Sequence, residues 1–417
     1  MNMLAINSNA QMHLIPEIVD DAASMQRIRR HIHAHPELCF EEEKTSQVIA
    51  EKLLEWGIEV HRGLGGTGVI GVIRGASTGK SVGLRADMDA LPLQEANDFG
   101  HRSVNEGKMH ACGHDGHIAM LLSAAKYLAA NRDFNGTVHL IFQPGEESGI
   151  GAAKMVQDGL FEKFPCDAVF ALHNWPGLKA GTFATCPGPI MASCSEFRID
   201  IHGRGAHAAL PHNGADPVFA AAQILNGLQS VITRNKRPID TAVLSVTQFH
   251  GGDATNIIPD SAWIAGTVRT FDTDVLCLIE ERMRVIATAT ARAHGCEIDF
   301  DFVRQSPATI NDPVQAAFAA SVMEAIVGKD NVNAHIEPTM GAEDFSYMLE
   351  KVPGCYAFIG IGEGSHREAG HGLGPCMLHN PSYDFNDAVL PLGATYFVNL
   401  ARAFLGQAGS SASGRAG

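Results

Sequence analysis

Basic residues are scarce in this chain of 417 residues, which has 31 Lys or Arg against 46 Asp or Glu and a formal net charge of -15. Nucleic acid or an anionic membrane would need a basic surface, so the composition argues against both and favours a small-molecule substrate. No apolar run approaches the length that spans a bilayer, and no basic region leads into an apolar stretch at the N-terminus. We therefore expect no membrane span and a cytoplasmic location.

Paired cysteines are also missing. The nine cysteines are odd in number and scattered, which favours reduced thiols over a disulfide framework. Cys112 stands apart because the stretch from Met109 to His117 places it two residues from His114, with Gly113 between them. A thiolate and an imidazole at this spacing are good zinc ligands. Taken alone, the pair is also compatible with a buried cysteine beside an exposed loop of histidines.

Several short apolar runs bounded by glycine or polar residues predict buried strands, at 68–73, 82–85, 136–143 and 168–172. Polar residues follow three of these strands, namely Asp87, the Glu146 and Glu147 pair, and His173. Ligands of open α/β sheets bind at the carboxyl ends of strands, so we expect these residues to converge. Of two adjacent acids, one can bind a metal while the other faces the water. Asp87 and Asp89 are either groups that orient a metal-bound histidine or ordinary loop carboxylates.

Helical spacing of apolar residues predicts helices at 16–31, 45–56 and 114–130. The last of these places Cys112 at a helix N-terminus, which favours thiolate over thiol. His31, His33 and His35 alternate along the chain and so do not share a helix face, and we interpret them as a polar helix end and loop. The glycine-rich stretch 360–364 predicts a flexible loop, since no helix follows it.

From about Met191 the pattern changes to alternating polar and apolar residues, as in a half-exposed antiparallel strand. The elements that follow have the order β-α-β-β-α-β of a ferredoxin-like sandwich, which leaves an edge strand and the outer face of the sheet free for a partner. We therefore predict a first domain over 1–190 and 306–405 that is interrupted by a second over 191–305. The tail 406–417 is rich in Gly, Ser and Ala and is predicted to be disordered.

Considered together, the motifs resemble those of the aminoacylase-like metallopeptidases, which include hippurate hydrolases, N-acyl-amino-acid amidohydrolases and auxin-conjugate hydrolases. The resemblance covers nearly the whole chain. It rests on eight stretches of the sequence, at 29–38, 85–92, 109–117, 143–147, 203–208, 256–259, 341–345 and 378–381. It implies an α/β fold in which a mixed-sheet, di-metal aminopeptidase-like catalytic domain is interrupted by a ferredoxin-like α+β dimerisation or lid domain.

The same resemblance implies a site with two divalent ions. Cys112 would bridge the ions, His114, Glu147 and His173 would bind them, His379 would complete the set, and Glu146 would be the general base. Zinc or manganese is expected, with cobalt or nickel as alternatives. Candidates to hold a substrate carboxylate or a developing oxyanion are His207, Asn256 and Arg269, and for Arg269 an ordinary surface position is equally compatible with the sequence.

Relatives of this kind dimerise through the second domain and send the residue that matches His207 into the partner's active site. The resemblance thus implies a homodimer, or a dimer of dimers, formed through 191–305. The expected reaction is hydrolysis of the amide bond of an N-acyl amino acid, with an aryl-acyl, hippurate-like substrate. The alternatives are a dipeptidase or carboxypeptidase, a deacetylase of N-acetyl-diaminopimelate, and a non-enzymatic metal-binding ligand sensor. A sensor would have no need of a base such as Glu146.

Overall fold

The computed structural model describes residues 12–406. Residues 1–11 and 407–417 lie outside the described residues, and the predicted disordered tail falls there except for Gly406. The chain divides into two compact units. Of the described residues, the first unit contains 12–190, 310–337 and 344–406, and the second contains 191–309 and 338–343. The second unit thus reaches four residues beyond the predicted boundary at 305 and includes a short later segment.

The α-helices of the described residues are α1 (Pro16–Asp20), α2 (Ala22–Ala34), α3 (Glu43–Glu55), α4 (His114–Ala130), α5 (Gly151–Gln157), α6 (Leu160–Lys163), α7 (Pro217–Ser230), α8 (Thr273–Ala293), α9 (Pro313–Val327), α10 (Ser346–Leu349) and α11 (Leu390–Leu405). The strands are β1 (Glu59–Leu64), β2 (Gly68–Arg74), β3 (Ser77–Asp87), β4 (Asn135–Gln143), β5 (Ala168–Pro176), β6 (Phe183–Ala184), β7 (Gly188–Met191), β8 (Cys194–His202), β9 (Ala206–His207), β10 (Ala242–Gly251), β11 (Ile257–Ile258), β12 (Ser261–Thr270), β13 (Glu297–Ser306), β14 (Thr309–Asn311), β15 (Val332–Asn333) and β16 (Gly354–Gly362).

The first unit is built on an eight-stranded mixed sheet with the order β1-β2-β4-β3-β5-β16-β6-β15. Its centre is parallel, because β3 pairs in parallel with both β4 and β5, and β5 pairs in parallel with β16. The strands β2, β4, β5 and β16 are buried along nearly their whole length, as expected for strands that are covered on both faces. Apolar residues of α4 and α11 belong to the same core as these strands.

The second unit has the ferredoxin-like order that the sequence predicts. Its sheet is antiparallel with the order β10-β12-β8-β13, and α7 and α8 contribute apolar residues to the core on one face. Both helices begin at an aspartate whose carboxylate accepts two backbone N–H bonds. Asp216 caps α7 and Asp272 caps α8. The strands β9 and β11 form a separate two-stranded pair.

Four expectations about local structure require correction. The single helix at 16–31 is two helices, α1 and α2, which meet at Asp21. His33 is not part of a polar helix end but is fully buried. The glycine-rich stretch is not simply a loop, since Gly360 to Gly362 finish the buried strand β16. Finally, the sequence was expected to contain no apolar run of membrane-spanning length, but Asp387–Leu405 is long and apolar enough to span a membrane. Of its apolar stretch, 67% is buried inside the molecule, as in a core helix.

Candidate metal centre

Three neighbouring strands bring polar residues to one edge of the first unit's sheet. β3 lies between β4 and β5 and is parallel to both, so their carboxyl ends meet. Asp87 is the last residue of β3, the Glu146 and Glu147 pair follows β4 in a short 3-10 turn, and His173 lies inside β5 rather than after it. His114, the first residue of α4, and Cys112, which lies just before that helix, also reach this edge.

Gly113 is needed for the turn that places Cys112 and His114. Its φ is +97°, in the left-handed region that favours glycine. A Cβ atom there would also lie 2.2 Å from Asn174 Oδ1 and 2.5 Å from Tyr383 Oη. Backbone conformation and close packing therefore both require glycine between the two predicted ligands.

Donor atoms at this edge lie in overlapping sets, with at most 4.8 Å between atoms of one set. One set contains Cys112, Glu147 and His379, a second contains Asp87, His114, His117 and His173, and a third contains His114, Glu146 and Glu147. Cys112 Sγ lies 3.5 Å from His173 Nε2 and so connects the first two sets. The structure thus brings all five predicted ligands and Glu146 together.

Hydrogen bonds leave the metal-binding atoms of the two histidines facing inward. His114 Nδ1 donates to the Asp89 carbonyl oxygen at 2.9 Å, and His173 Nδ1 donates to the Asn174 carbonyl oxygen at 2.7 Å. In the neutral form of each histidine the proton therefore lies on Nδ1, and Nε2 is the nitrogen that can bind a metal ion. His114 Nε2 is buried and has no hydrogen-bond partner among the described residues, and Glu147 Oε1 is buried with an ion-pair contact at 3.3 Å to His379 Nε2. Such atoms fit a bound cation, and one thiol, three imidazoles and one carboxylate are ligands suited to zinc-like divalent ions.

Asp87 and His117 also lie here, but their polar atoms are already bonded. Asp87 Oδ1 lies 2.6 Å from His117 Nδ1, and Asp87 Oδ2 accepts from Arg85 Nη1 at 2.7 Å. His117 Nε2 is bonded to Asn174, at 2.7 Å from its side-chain oxygen. Asp87 and His117 therefore support their neighbours, and Asp87 is not an ordinary loop carboxylate.

Asp89 fixes the turn that carries the two glutamates. Its buried carboxylate accepts the backbone N–H of Glu146 at 3.1 Å and that of Glu147 at 2.9 Å. It also accepts the S–H of Cys39 at 3.1 Å. Because its carbonyl oxygen holds His114, one residue orients both sides of the cluster.

The charges around Cys112 correct one expectation. Burial and the neighbouring carboxylates of Glu147 and Glu146 raise the pKa of Cys112 well above its usual range, so the helix N-terminus alone does not yield a thiolate. For His114, burial opposes protonation, but the negative charges of Asp87 and Asp89 outweigh it and raise the pKa to about 10. The cluster thus has an excess of negative charge that binds protons in this state and that divalent cations would neutralise.

His379 reaches the cluster from a segment without helix or strand. Its φ is +59°, and its side chain is 54% exposed, unlike the buried His114 and His173. Its backbone N–H donates to the Ala111 carbonyl oxygen at 2.8 Å, and its Nε2 lies 3.3 Å from Glu147 Oε1. The segment that carries Cys112 therefore also holds the backbone of His379.

The three predicted substrate-binding residues all lie in the second unit. His207 is exposed on β9, opposite Ile257 of β11, and its Nδ1 accepts the N–H of Ala209 at 3.0 Å. Asn256 lies beside it, since its carbonyl oxygen accepts the N–H of Ala208. Arg269 is half-buried on β12, where it donates to Thr267 Oγ1 and to the Val268 carbonyl oxygen. The structure thus brings His207 and Asn256 together and places Arg269 on a different strand pair.

Several supporting residues of the cluster were not predicted from the sequence, although local patterns indicated two of them. Arg85 ends an apolar strand run, where a buried charge requires a partner, and it binds Asp87 and Asp344. His117 is three residues after His114 in α4 and so lies on the same side of the helix. Asn174, in contrast, had no signal, because its role depends on the position of α4 relative to β5.

Comparison with known proteins agrees with this geometry. Residues 83–403 match the family described as peptidase family M20/M25/M40. The chain is 42% identical over 394 residues to a hippurate hydrolase of Campylobacter jejuni, covering 94% of this chain and 100% of that protein. It is 39% identical over 404 residues to thermostable carboxypeptidase 1 of Saccharolobus solfataricus, covering 94% and 99%.

A solved Bacillus subtilis structure, described as a dinuclear metal binding peptidase from the M20 family, superposes with a TM-score of 0.79. It is 34% identical to this chain, and the match covers 93% of this chain and 99% of that one. The mixed sheet and the cluster of donor atoms agree with these matches. The chain therefore belongs to peptidase family M20/M25/M40 and is a metal-dependent hydrolase of amide bonds.

Proposed function

We propose that this enzyme hydrolyses N-acyl amino acids, with an aryl-acyl substrate of the hippurate type, to a carboxylic acid and a free amino acid. The observation that carries the proposal is the position of Glu146 beside the ligand cluster, with Oε2 3.9 Å from His114 Nε2 and a backbone fixed by Asp89. The hippurate hydrolase of C. jejuni, 42% identical over nearly all of this chain, supports the substrate class.

Two divalent ions would be held by five residues. Glu147 and His379 would bind one ion and His114 and His173 the other, with Cys112, which lies near both pairs, shared between them. Zinc suits the thiol and imidazoles, manganese is the second choice, and cobalt or nickel would also serve. When bound, the ions lower the pKa of a water molecule and polarise the amide carbonyl.

The protein's own groups would then move the proton. Glu146 takes it from the attacking water and later gives it to the nitrogen of the leaving amino acid. Asp89 holds the Glu146 backbone, so the carboxylate needs little reorganisation as the reaction proceeds. Glu147, one residue later, faces Cys112 and His379 and serves as a ligand instead.

The second unit would supply substrate recognition. Arg269 and Asn256 are suited to a carboxylate, and His207 to the carbonyl oxygen as it becomes negative. The strands β10 and β13 form the two edges of this unit's sheet, and both have exposed residues. This unit is therefore the candidate for forming a homodimer, or a dimer of dimers, through 191–305. Nine free cysteines support a reducing, cytoplasmic location.

The test is a panel of N-benzoyl, N-acetyl and indole-acetyl amino acids and dipeptides, each assayed with zinc, manganese, cobalt and nickel. N-benzoylglycine is expected to give the highest kcat/KM. The relative from S. solfataricus makes a carboxypeptidase the second candidate, and a preference for dipeptides over every N-acyl amino acid would select it. No hydrolysis of any member under any metal would refute the proposed substrate class.

A further inference from the structure

A buried group of charges lies behind the first turn of α4. Arg29 of α2 is fully buried, and its Nε lies 3.0 Å from Asp115 Oδ2. On its other side, Nη2 donates to Asp384 and to the Phe385 carbonyl oxygen, the latter at 3.2 Å. A buried guanidinium is tolerated only when carboxylates pair with it, so the three side chains are fixed relative to one another.

Two of the three carboxylates that pair with Arg29 belong to the chain segments that carry the proposed ligands, and the third, Asp387, lies 3.4 Å from Arg29 Nε. Asp115 directly follows His114 in the first turn of α4. Asp384 lies in the segment 363–386, which contains His379 and has no helix or strand. A segment without regular backbone hydrogen bonds depends on side-chain contacts for its position. Arg29 joins it to the start of α4 through side chains, in addition to the backbone bond from His379 to the Ala111 carbonyl oxygen.

We propose that Arg29 is a positioning residue for the metal centre, which sets the spacing between the segment with Cys112 and His114 and the segment with His379. The inference rests on the ligands of the proposed function. Its physical basis is the planar guanidinium, which presents several donors in a fixed arrangement and can bind two carboxylates at once. A lysine would keep the charge but, as a single ammonium group, would not hold the same spacing.

The chain offers a matched control in the next residue. Arg30 also binds a carboxylate, with Nε 2.8 Å from Asp387 Oδ2, but its side chain is 39% exposed. Asp387 begins the turn before α11 and does not belong to the segment 363–386. Asp387 also lies 3.4 Å from Arg29 Nε, so it keeps one arginine partner when Arg30 is changed. A change at Arg30 therefore removes an arginine and an ion pair but leaves the pairs of Arg29 with Asp115 and Asp384 in place.

The experiment compares Arg29→Lys, Asp384→Asn, Arg30→Met and His379→Ala with the full-length wild-type chain. Each protein is stripped of metal and titrated with Zn²⁺ against a chromophoric chelator, which gives the number of sites and their affinities. Thermal unfolding of the metal-free proteins is measured in parallel. We expect Arg29→Lys and Asp384→Asn to weaken one zinc equivalent about 10–100-fold, the range for groups that orient ligands. The other equivalent and the Arg30→Met protein stay near wild type.

The outcomes separate this inference from the ligand assignment. If His379→Ala leaves both zinc equivalents intact, the proposed ligand set is wrong. If His379→Ala removes one equivalent but Arg29→Lys and Asp384→Asn change neither affinity, the ligand set stands and the role of Arg29 is refuted. Equal weakening of both equivalents together with a lower melting temperature would show a general structural role and would also refute it. Should Arg29→Lys fail to fold, Asp384→Asn decides, because it keeps the pair of Arg29 and Asp115.

Discussion

The two units hold their candidate residues in opposite ways. In the first unit, Cys112, His114 and His173 are buried, and hydrogen bonds to backbone carbonyl oxygens fix the two histidine side chains. In the second unit, His207 on β9 and Asn256, which directly precedes β11, are exposed. Among the described residues, the ring of His207 bonds only to the N–H of Ala209. The first arrangement is suited to metal ligands, which need fixed geometry, and the second to groups that meet a substrate as it binds.

The difference has a consequence for mutations. Residues of the first unit act as a connected network, so a change at one of them reaches the metal ions. His207, Asn256 and Arg269 of the second unit are not predicted ligands, so their loss should reduce turnover or substrate affinity while the metal content is unchanged. Variants of the two units should therefore differ in metal content, and their expected effects on turnover range from several orders of magnitude to almost none.

The sharpest test within the first unit replaces each of the two adjacent glutamates separately by glutamine. Glu146→Gln keeps the shape of the side chain but cannot accept a proton, so turnover should fall by about 10²–10⁴ or more while zinc content stays near two equivalents. Glu147→Gln should instead lower the zinc content. Steady-state kinetics and elemental analysis give both values, and the reverse pattern would exchange the roles of base and ligand.

In the second unit, His207→Ala should lower turnover by about two to three orders of magnitude, since a donor to a developing oxyanion contributes about 2.7–4 kcal/mol. Metal content should not change. If His207 acts in the partner's site, mixing the inactive His207→Ala and Glu146→Gln proteins should restore activity, because one site of a mixed dimer has both groups intact. Verified subunit exchange without recovered activity would place His207 in its own chain's reaction or outside the chemistry.

Arg269 should affect substrate affinity more than turnover. If it binds the free carboxylate of the substrate, Arg269→Ala loses a hydrogen bond to a charged group, about 1.5–3 kcal/mol, and KM should rise by about 10–100-fold. An N-acyl amino acid amide, which lacks the carboxylate, should show no such difference between wild type and variant. Equal losses for acid and amide substrates would show that Arg269 acts through the structure of β12.

His33 should change stability with pH and leave turnover nearly unaffected. Burial alone would lower its pKa, but hydrogen bonds with Asp115 and Glu95 outweigh burial and raise the pKa to about 9. Since its pKa in the unfolded chain is about 6.5, this stabilisation is complete below about pH 6.5 and is lost as the pH rises through about 9. Other charged or titratable groups that face His33 are Arg29, His101 and His110.

His33→Gln should therefore have a lower melting temperature than wild type at about pH 6, and the difference should narrow at about pH 9.5. The measurement is thermal unfolding of the metal-free proteins in buffers that span this range. A matched variant, His35→Gln, changes a histidine of the same helix end whose ring bonds only to a backbone carbonyl. A constant difference across the range would show that His33 contributes through packing and not through its charge.

Local sequence determined much of this protein, because periodicity and ligand chemistry are local properties. The apolar runs predict β2, β3, β4 and β5, the order of elements predicts the ferredoxin-like unit, and the polar residues after the strands predict which side chains converge. That convergence follows from strand direction alone, since neighbouring parallel strands end at the same edge of a sheet. The thiol and imidazole spacing in Cys112, Gly113 and His114 likewise needs no tertiary information.

Tertiary structure decided what lies between and behind those residues. Whether His33 is exposed depends on how α2 packs against α4, and that packing also pairs Arg29 with Asp115 and Asp384, residues far apart in the chain. The protonation of Cys112 depends on burial and on carboxylates from other strands, which outweigh its helix N-terminus. The burial of a side chain and the groups that pair with it depend on the whole fold. Residue type and spacing could therefore predict the ligands but not the network of residues that holds them.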